Sequence, residues 1–409
     1  MEGLAVSVVV VSRDRPAALT RCLTGLSQLD HPRFEVIVVA CPHGIAAVQG
    51  RADAELIKQV PFDEANISAA RNLGIAQAAG DIVAFIDDDA VPEPLWLRHL
   101  TEPFANPLVA AAGGYVRGRN GIGFQWRART VDATGAAQAL PVENDAPLIR
   151  PADPEAATKT EGTNMAVRRA VLADMGGFDP AFRFYLDETD LNMRLALAGR
   201  ATAIVPLAQV HHGYAPSARR AADRTPRDLS EIGASLAVYL RKHAHEDAGH
   251  DAWGRMQAEQ HTRLLRLMQR GPLGPDDVMR LMRGLRRGWA DGMDRPLTPL
   301  PQIAGAATAF LAYPGRPGAR HTILSGRSWQ RRTLEERAAK AVAEGDTVTL
   351  FRFSPTAIYH RMEFRAEGYW QQTGGQFGRS DRDGPLFRLT TLRRRVAQER
   401  ARIAMFRGN

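Results

Sequence analysis

The 409-residue chain is 44% hydrophobic and 24% charged, ordinary globular proportions that allow a sizeable core without a disulfide framework. Its net charge is +8, and its two cysteines, Cys22 and Cys41, offer no Cys-x-x-Cys pair or zinc cluster, which fits a reducing compartment. No run of roughly 18 apolar residues occurs and the N-terminus lacks the basic start of a secretion signal, so neither a membrane span nor a leader is expected.

The first 215 residues alternate strand-like and helix-like patterns. Val6–Val11 is a β-branched run, and Pro16–Leu26 is an amphipathic stretch with proline placed for a first helical turn. Phe34–Val39 is a second strand, Ile67–Ala79 a helix stopped at Gly80, and Ile82–Ile86 a third strand. Val109–Val116 and Ala201–Val205 add strands, and Arg168–Asp174 a helix. Runs apolar on both faces and separated by helices predict a doubly wound, mostly parallel α/β sheet.

After residue 217 the pattern turns helical, over Leu229–His243, His261–Gln269 and Asp276–Trp289. A proline-rich joint, Pro296–Pro301, leads to a small α+β region. It has strands near His321–Leu324, Thr347–Phe353 and Ala357–Phe364 and a helix over Leu334–Ala343. The division expected is therefore 1–217, 218–295 and 296–409. The last region carries Tyr359, His360, Tyr369 and Trp370 in positions read as exposed. From Arg388 onward it holds seven arginines against one acid, Glu399, a basic tail able to meet phosphates or anionic lipid. No RNP, zinc-finger or helix-turn-helix signature accompanies it, so nucleic acid is not the expected partner.

The chemistry concentrates in AFIDDDAVP, Ala84–Pro92. An apolar strand delivers Asp87, Asp88 and Asp89 at its C-terminal end, where open α/β sheets bind ligands. Alternation lets Asp87 and Asp89 share a side while Asp88 points away. Two hard oxygen ligands suit Mg²⁺ or Mn²⁺ on a diphosphate. The glycines at 118, 121 and 123 do not follow a strand in dinucleotide-binding spacing, and no phosphate-binding GxxxxGK[ST] loop exists. The histidines at 243, 245 and 250 read as a solvated helix end.

This strand end resembles the Asp-x-Asp motif of family 2 glycosyltransferases. VSVVVVSRDRP (Val6–Pro16), ANISAARNLGIAQAAGD (Ala65–Asp81), EGTNMAVRRAVLADMGGFDPAF (Glu161–Phe182) and YLDETDLNMRL (Tyr185–Leu195) follow in the family's order. The resemblance implies a GT-A fold over about half the chain and a cytoplasmic, metal-dependent, inverting transfer from a nucleotide-sugar. The acceptor it implies is a glycan or lipid-linked glycan in polysaccharide or glycoconjugate synthesis, with peripheral membrane contact through the basic tail. It places Asp87 near the donor ribose, Asp89 on the metal, and Arg71 on the diphosphate or base. Ser12 and Asp14 line the nucleotide pocket, with Asp88 counted among the donor-binding residues. Glu188 falls at the general base with Asp187 beside it, and His212, or else His211, completes the metal site. The family's acidic base-reading residue after the second strand is replaced by Ala40 and Cys41; Asp63 and Glu64 are the nearby substitutes. A sugar-phosphate nucleotidyltransferase and a non-catalytic glycan-binding protein are the alternatives. The first needs a glycine-rich loop that Ser12–Pro16 does not supply, and the second has no use for an acid set of this kind.

Overall fold

The structure is a computed structural model and describes residues 3–213 and 215–408. Its first strands and helices are β1 (Val6–Ser12), α1 (Pro16–Leu26), β2 (Phe34–Ala40), α2 (Pro42–Gln49), β3 (Ile57–Pro61), α3 (Ile67–Gln77) and β4 (Ile82–Asp87). Then come β5 (Ala90–Pro92), α4 (Trp96–Thr101), β6 (Val109–Arg117), β7 (Phe124–Trp126), β8 (Arg129–Val131), β9 (Ala137–Ala139), β10 (Leu148–Arg150), β11 (Ala157–Lys159) and β12 (Met165–Arg168). The chain continues through α5 (Arg169–Asp174), α6 (Asp187–Leu197), β13 (Ala201–His212), α7 (Ser230–His243), α8 (Glu246–Gln269) and α9 (Pro275–Asp294). The last elements are β14 (His321–Arg327), α10 (Arg331–Ala343), β15 (Thr347–Ser354), β16 (Arg361–Phe364), β17 (Trp370–Gly375) and α11 (Leu392–Arg407).

The main sheet runs β10-β13-β6-β12-β4-β1-β2-β3, with β5 beside β13 and β7 beside β6. Around β1 the pairing is parallel, as β-branched runs buried on both faces require. The antiparallel β12 joins this half to β6 and β13. One face buries Val8, Val10 and Val36 against Leu19, Leu23 and Trp96. The other buries Val9, Ile37 and Phe85 against Ile75, Phe178 and Leu191. Small residues in β6 let the chain pass closely: a Cβ on Gly114 would lie 1.9 Å from the Ala208 carbonyl oxygen.

The expected α/β class is observed. The edge strand β3, short and only partly buried, carried too little apolar pattern to be read as a strand. The helix expected at 261–269 is the end of the 24-residue α8. His250 sits inside that helix, while His243 closes α7 with Nε2 2.9 Å from Asp190 Oδ1. Helices α7 and α9 cross at glycines, where Cβ atoms on Gly233, Gly288 and Gly292 would each meet backbone of the facing helix at under 2.4 Å. Lys242 Nζ also lies 2.6 Å from the buried carboxylate of Asp190 in α6, which ties this helical segment to the sheet unit.

The stretch that follows the proline-rich joint does not hang free. Leu311 N–H donates to Glu35 Oε2 (2.9 Å), and the buried Tyr313 hydroxyl donates to Asp53. Beyond it, β14, β15 and β17 are parallel and β16 antiparallel in a four-stranded sheet. Helix α10 covers one face through Leu334 and Ala338. On the other side, α11 inserts Ile403 beside Phe351, Phe353 and Trp370.

Two expectations are corrected here. Tyr369 and Trp370, read as exposed, are each 1% exposed, because the Gly368 turn starts a strand buried on both faces. His360 is buried as well, and only Tyr359 of the four faces solvent. The basic tail is a docked helix: Arg395, Ile403, Phe406 and Arg407 are buried, with Arg395 paired to Glu399 at 3.1 Å. Helical spacing puts these residues on one stripe, which leaves Arg393, Arg394 and Arg400 outside. Among the described residues no helix is long and apolar enough to cross a membrane.

Candidate active site

The carboxyl end of β4 carries Asp87 into a turn, and β5 leaves it after Asp89. Alternation along the chain then divides the three aspartates. Asp87 is 30% exposed and faces Arg71 Nη2 at 3.4 Å. Asp88 is buried on the opposite side, where Ser12 Oγ donates to it (2.7 Å) and Arg15 pairs with it (2.8 Å). Asp88, counted above with the donor-binding residues, is thus placed behind the cleft wall instead of in it. Burial and the neighbouring Asp89 charge push its pKa up to about 7 against the pull of Arg15.

Asp89 returns to the side of Asp87. Its carboxylate meets His212 Nε2 at 3.1 Å and Arg15 at 3.3 Å, and accepts from the Ala215 N–H at 2.7 Å. Burial opposes its ionisation, but His212, Arg15 and that N–H together hold its pKa well below the usual carboxylate range. One ligand atom from each of Asp87, Asp89 and His212 lies within 4.8 Å of the others. His212 Nδ1 sits 2.9 Å from Gln125 Oε1. A proton on Nδ1 donated to that amide leaves the Nε2 lone pair for an ion. Two carboxylates and one oriented imidazole are a donor set that fits Mn²⁺ or Mg²⁺.

His211 is not part of this group. One residue along β13, it points to the other face, with Nε2 2.8 Å from Glu93 Oε1 and its ring 4.5 Å from that of Trp370. Burial lowers its pKa to about 4 despite Glu93.

The opposite wall comes from the start of α6. Tyr185 and Leu186 both have positive φ, 73° and 63°, conformations that cost non-glycine residues roughly 1–3 kcal/mol each. This kink turns the first helical residues toward the cleft. Asp187 is buried in a close ion pair with Arg71, while Glu188 lies 3.0 Å from Lys159 Nζ. Lys159 also donates to Thr189 Oγ1 (2.8 Å) and lies 3.9 Å from Glu161, which in turn pairs closely with Arg129. Burial works against the Glu188 carboxylate, but Lys159 and Arg71 outweigh it and hold its pKa well below the usual range. At Asp187 burial wins over Arg71, and the Glu188 charge adds to the upward shift.

A cavity of ≈ 660 Å³ joins the two walls. Ser12, Asp14, Arg71, Asp87, Asp89, Asp187, Glu188 and His212 line it; Asp88 and His211 do not. At the end of β2, Cys41 is buried and its Sγ accepts from the Asp14 N–H at 3.2 Å. Of the two acids near the vacated base-reader position, Glu64 lines the cavity, while Asp63 is paired with Arg13 at 3.2 Å. Arg15, Arg129, Lys159 and Arg220, the last 3.6 Å from Asp89, also line the cleft and were not expected from the sequence. The signal was available only for Lys159, a lone cation in a short strand of small and polar residues before Glu161.

The family model "Glycosyltransferase like family 2" matches residues 4–231, which contain every one of these cleft residues. The chain belongs to this family. As a family 2-like glycosyltransferase it is similar to the O-antigen biosynthesis protein RfbC of Myxococcus xanthus, 29% identical over 57% of this chain and 19% of that protein. It is also 29% identical to a pre-mycofactocin glycosyltransferase of Mycobacterium tuberculosis over 51% of this chain and 43% of that one. The chain thus spans well under half the length of either relative. Among solved structures, the mannosyltransferase PcManGT from Pyrobaculum calidifontis, in complex with GDP-Man and Mn²⁺, matches with a TM-score of 0.43 and 17% identity. That match covers 71% of this chain and 87% of that one. The family match spans the whole main sheet, including the Asp87–Asp89 pair at the carboxyl end of β4.

Proposed function

We propose that the chain transfers a glycosyl group from a nucleotide-sugar to an acceptor hydroxyl by single displacement, with inversion at the anomeric carbon. One observation carries this reading: the Asp87, Asp89 and His212 group and the Glu188 carboxylate, 3.0 Å from Lys159, face one cavity from opposite walls. Asp87, Asp89 and His212 would hold a divalent ion, which would supply charge neutralisation for the departing diphosphate. Arg71, held between Asp87 and Asp187, adds a fixed positive charge beside the same group. Glu188 accepts the acceptor hydroxyl's proton as that oxygen bonds to the anomeric carbon. The bond from that carbon to the β-phosphate oxygen breaks, and the nucleoside diphosphate leaves with the electron pair. Lys159 keeps Glu188 ionised beforehand and pairs with it in the resting site.

A nucleotidyltransferase reading is less well supported. The loop after β1 commits Arg13 to Asp63 and Arg15 to Asp88 and Asp89, and contains no glycine cradle for a triphosphate. The named roles of similar proteins, in O-antigen and succinoglycan biosynthesis, support a glycan or lipid-linked glycan acceptor in surface polysaccharide synthesis. Peripheral membrane contact we assign to the segment before α11, where Leu386, Phe387 and the 84% exposed Leu389 project beside Arg388. Apolar side chains flanked by cations suit an anionic interface.

The test is a thermal-shift screen of nucleoside diphosphates with and without Mn²⁺, on the native protein and Asp89→Ala, because a ligand of the folded state raises its apparent stability. Stabilisation by one diphosphate, dependent on Mn²⁺ and absent in Asp89→Ala, is expected. Turnover undiminished in excess EDTA overturns the metal-dependent reading.

A further inference from the structure

The C-terminal unit lies outside the family match, yet its last helix ends inside the wall of the candidate active site. Arg407, fully buried, donates from Nε to Glu93 Oε2 (2.6 Å) and from Nη2 to Glu93 Oε1 (2.8 Å). Its third nitrogen donates to Thr349 Oγ1 (2.9 Å), and its guanidinium lies 4.3 Å from the Trp370 ring centroid. Glu93 also pairs with His211.

These contacts matter because of where Glu93 and His211 sit. Strand β5 pairs with the end of β13 in the register His212 to Ala90, His211 to Val91 and Val210 to Pro92. Asp89 immediately precedes β5 and Glu93 immediately follows it. Glu93 and His211 therefore cross-link the two strands on the outer face, while Asp89 and His212 meet on the inner one. Val91, on the same outer face, packs into the core of the C-terminal unit beside Phe351, Phe353 and Ile403. Leu95 N–H donates to the Phe406 carbonyl (2.9 Å), which fixes the end of α11 against the chain leaving β5. A bidentate guanidinium–carboxylate pair in a dry setting is a rigid joint, and here it braces the strand pair that carries Asp89 and His212 without touching either side chain.

We infer that Arg407 is a positioning residue, and that the C-terminal unit acts through Arg407, Glu93 and His211 to hold the β5–β13 ladder so that Asp89 and His212 converge on one cation. The inference rests on the proposed metal-dependent reading. It gives the region after residue 296 a role in metal affinity.

The test is the Mn²⁺ dissociation constant, from electron paramagnetic resonance of the free ion, with no substrate present. The full-length proteins compared are the native chain, Asp89→Ala, Arg407→Ala, Arg407→Lys and, as a control, Arg332→Ala, whose side chain on α10 is 93% exposed. Arg407→Ala should bind Mn²⁺ about 10–100-fold more weakly, the usual cost of losing a group that orients a ligand. Arg407→Lys should recover part of that loss, and Arg332→Ala should match the native chain. A folded Arg407→Ala protein with native affinity overturns the inference while leaving the metal site intact. Native affinity in Asp89→Ala instead sinks the metal reading on which it rests. Should both Arg407 variants fail to fold, hydrogen exchange of the native protein decides. Binding couplings are reciprocal, so Mn²⁺ must slow exchange across residues 392–407, and unchanged exchange there refutes the coupling.

Discussion

Glu188→Gln separates catalysis from helix capping at the same residue. The side chain is 17% exposed and its carboxylate sits 3.0 Å from Lys159 Nζ. Glutamine has the same reach, and its amide oxygen still accepts from Lys159, which keeps Thr189 and Glu161 as further partners. Neutralising one member of this cluster is then expected to cost up to about 1.5–3 kcal/mol of stability, the range for a hydrogen bond to a charged group. Loss of a mere dipole partner at the α6 N-terminus costs less, roughly 0.3–1 kcal/mol. Loss of a general base removes about 10²–10⁴ of rate, or roughly 3–5 kcal/mol of barrier at 1.36 kcal/mol per decade. The assay is single-turnover release of nucleoside diphosphate at saturating Mn²⁺, with the donor chosen from the nucleotide screen, alongside calorimetric nucleotide binding. Near-native binding with a rate loss in that range is the expected outcome. A variant that turns over within fivefold of the native chain, or a native product with the donor's anomeric configuration, refutes Glu188 as the base in an inverting transfer.

Two further outcomes follow from the same wall. Lys159 holds the Glu188 pKa down, so activity that needs the carboxylate persists as pH falls and is lost only below the ordinary glutamate range. Lys159→Met should raise the acid limb of kcat/KM by about 1–3 pH units, the usual effect of one adjacent charge, and an unmoved limb counts against the pairing. At Gly162 a Cβ would lie 2.4 Å from an Arg71 guanidinium nitrogen. Gly162→Ala should displace Arg71 from Asp87 and Asp187 and weaken diphosphate binding about tenfold or more while the protein still folds, and calorimetry with the nucleoside diphosphate alone checks this.

The strands and helices that build the cleft were legible because their signals are local. Pro16 opens α1 and Asn66 caps α3 by accepting from the Ala69 N–H. An apolar run ending in three aspartates has few other meanings, and alternation alone separates Asp88 from its neighbours. The same rule separates His211 from His212, but one sequence does not say which of the two faces inward. That choice is made by Gln125 and Glu93, more than 80 residues away along the chain. Arg129 and Arg15 escaped notice for a similar reason: each is defined by its partner across the fold, not by a pattern around it. The C-terminal arginines misled because charge count says nothing about burial. Arg407 is buried against Glu93, Thr349 and Trp370, none of them near it in the sequence.

The ties between α6 and the helices that follow bear on how the protein comes apart. The family match stops at residue 231, one residue past the start of α7. Yet Asp190, inside α6, is paired with Lys242 and His243 at the far end of α7. Arg295, beyond α9, reaches back to the Ala181 carbonyl oxygen just before the Tyr185–Leu186 kink. The glycine crossing of α7 and α9 leaves no slack between them. A protein cut after residue 231 keeps every cleft side chain but takes Lys242 and His243 from a buried carboxylate, leaving Arg194 at 2.8 Å as its cation within α6. The segment recognisable by homology is thus smaller than the segment that melts as one.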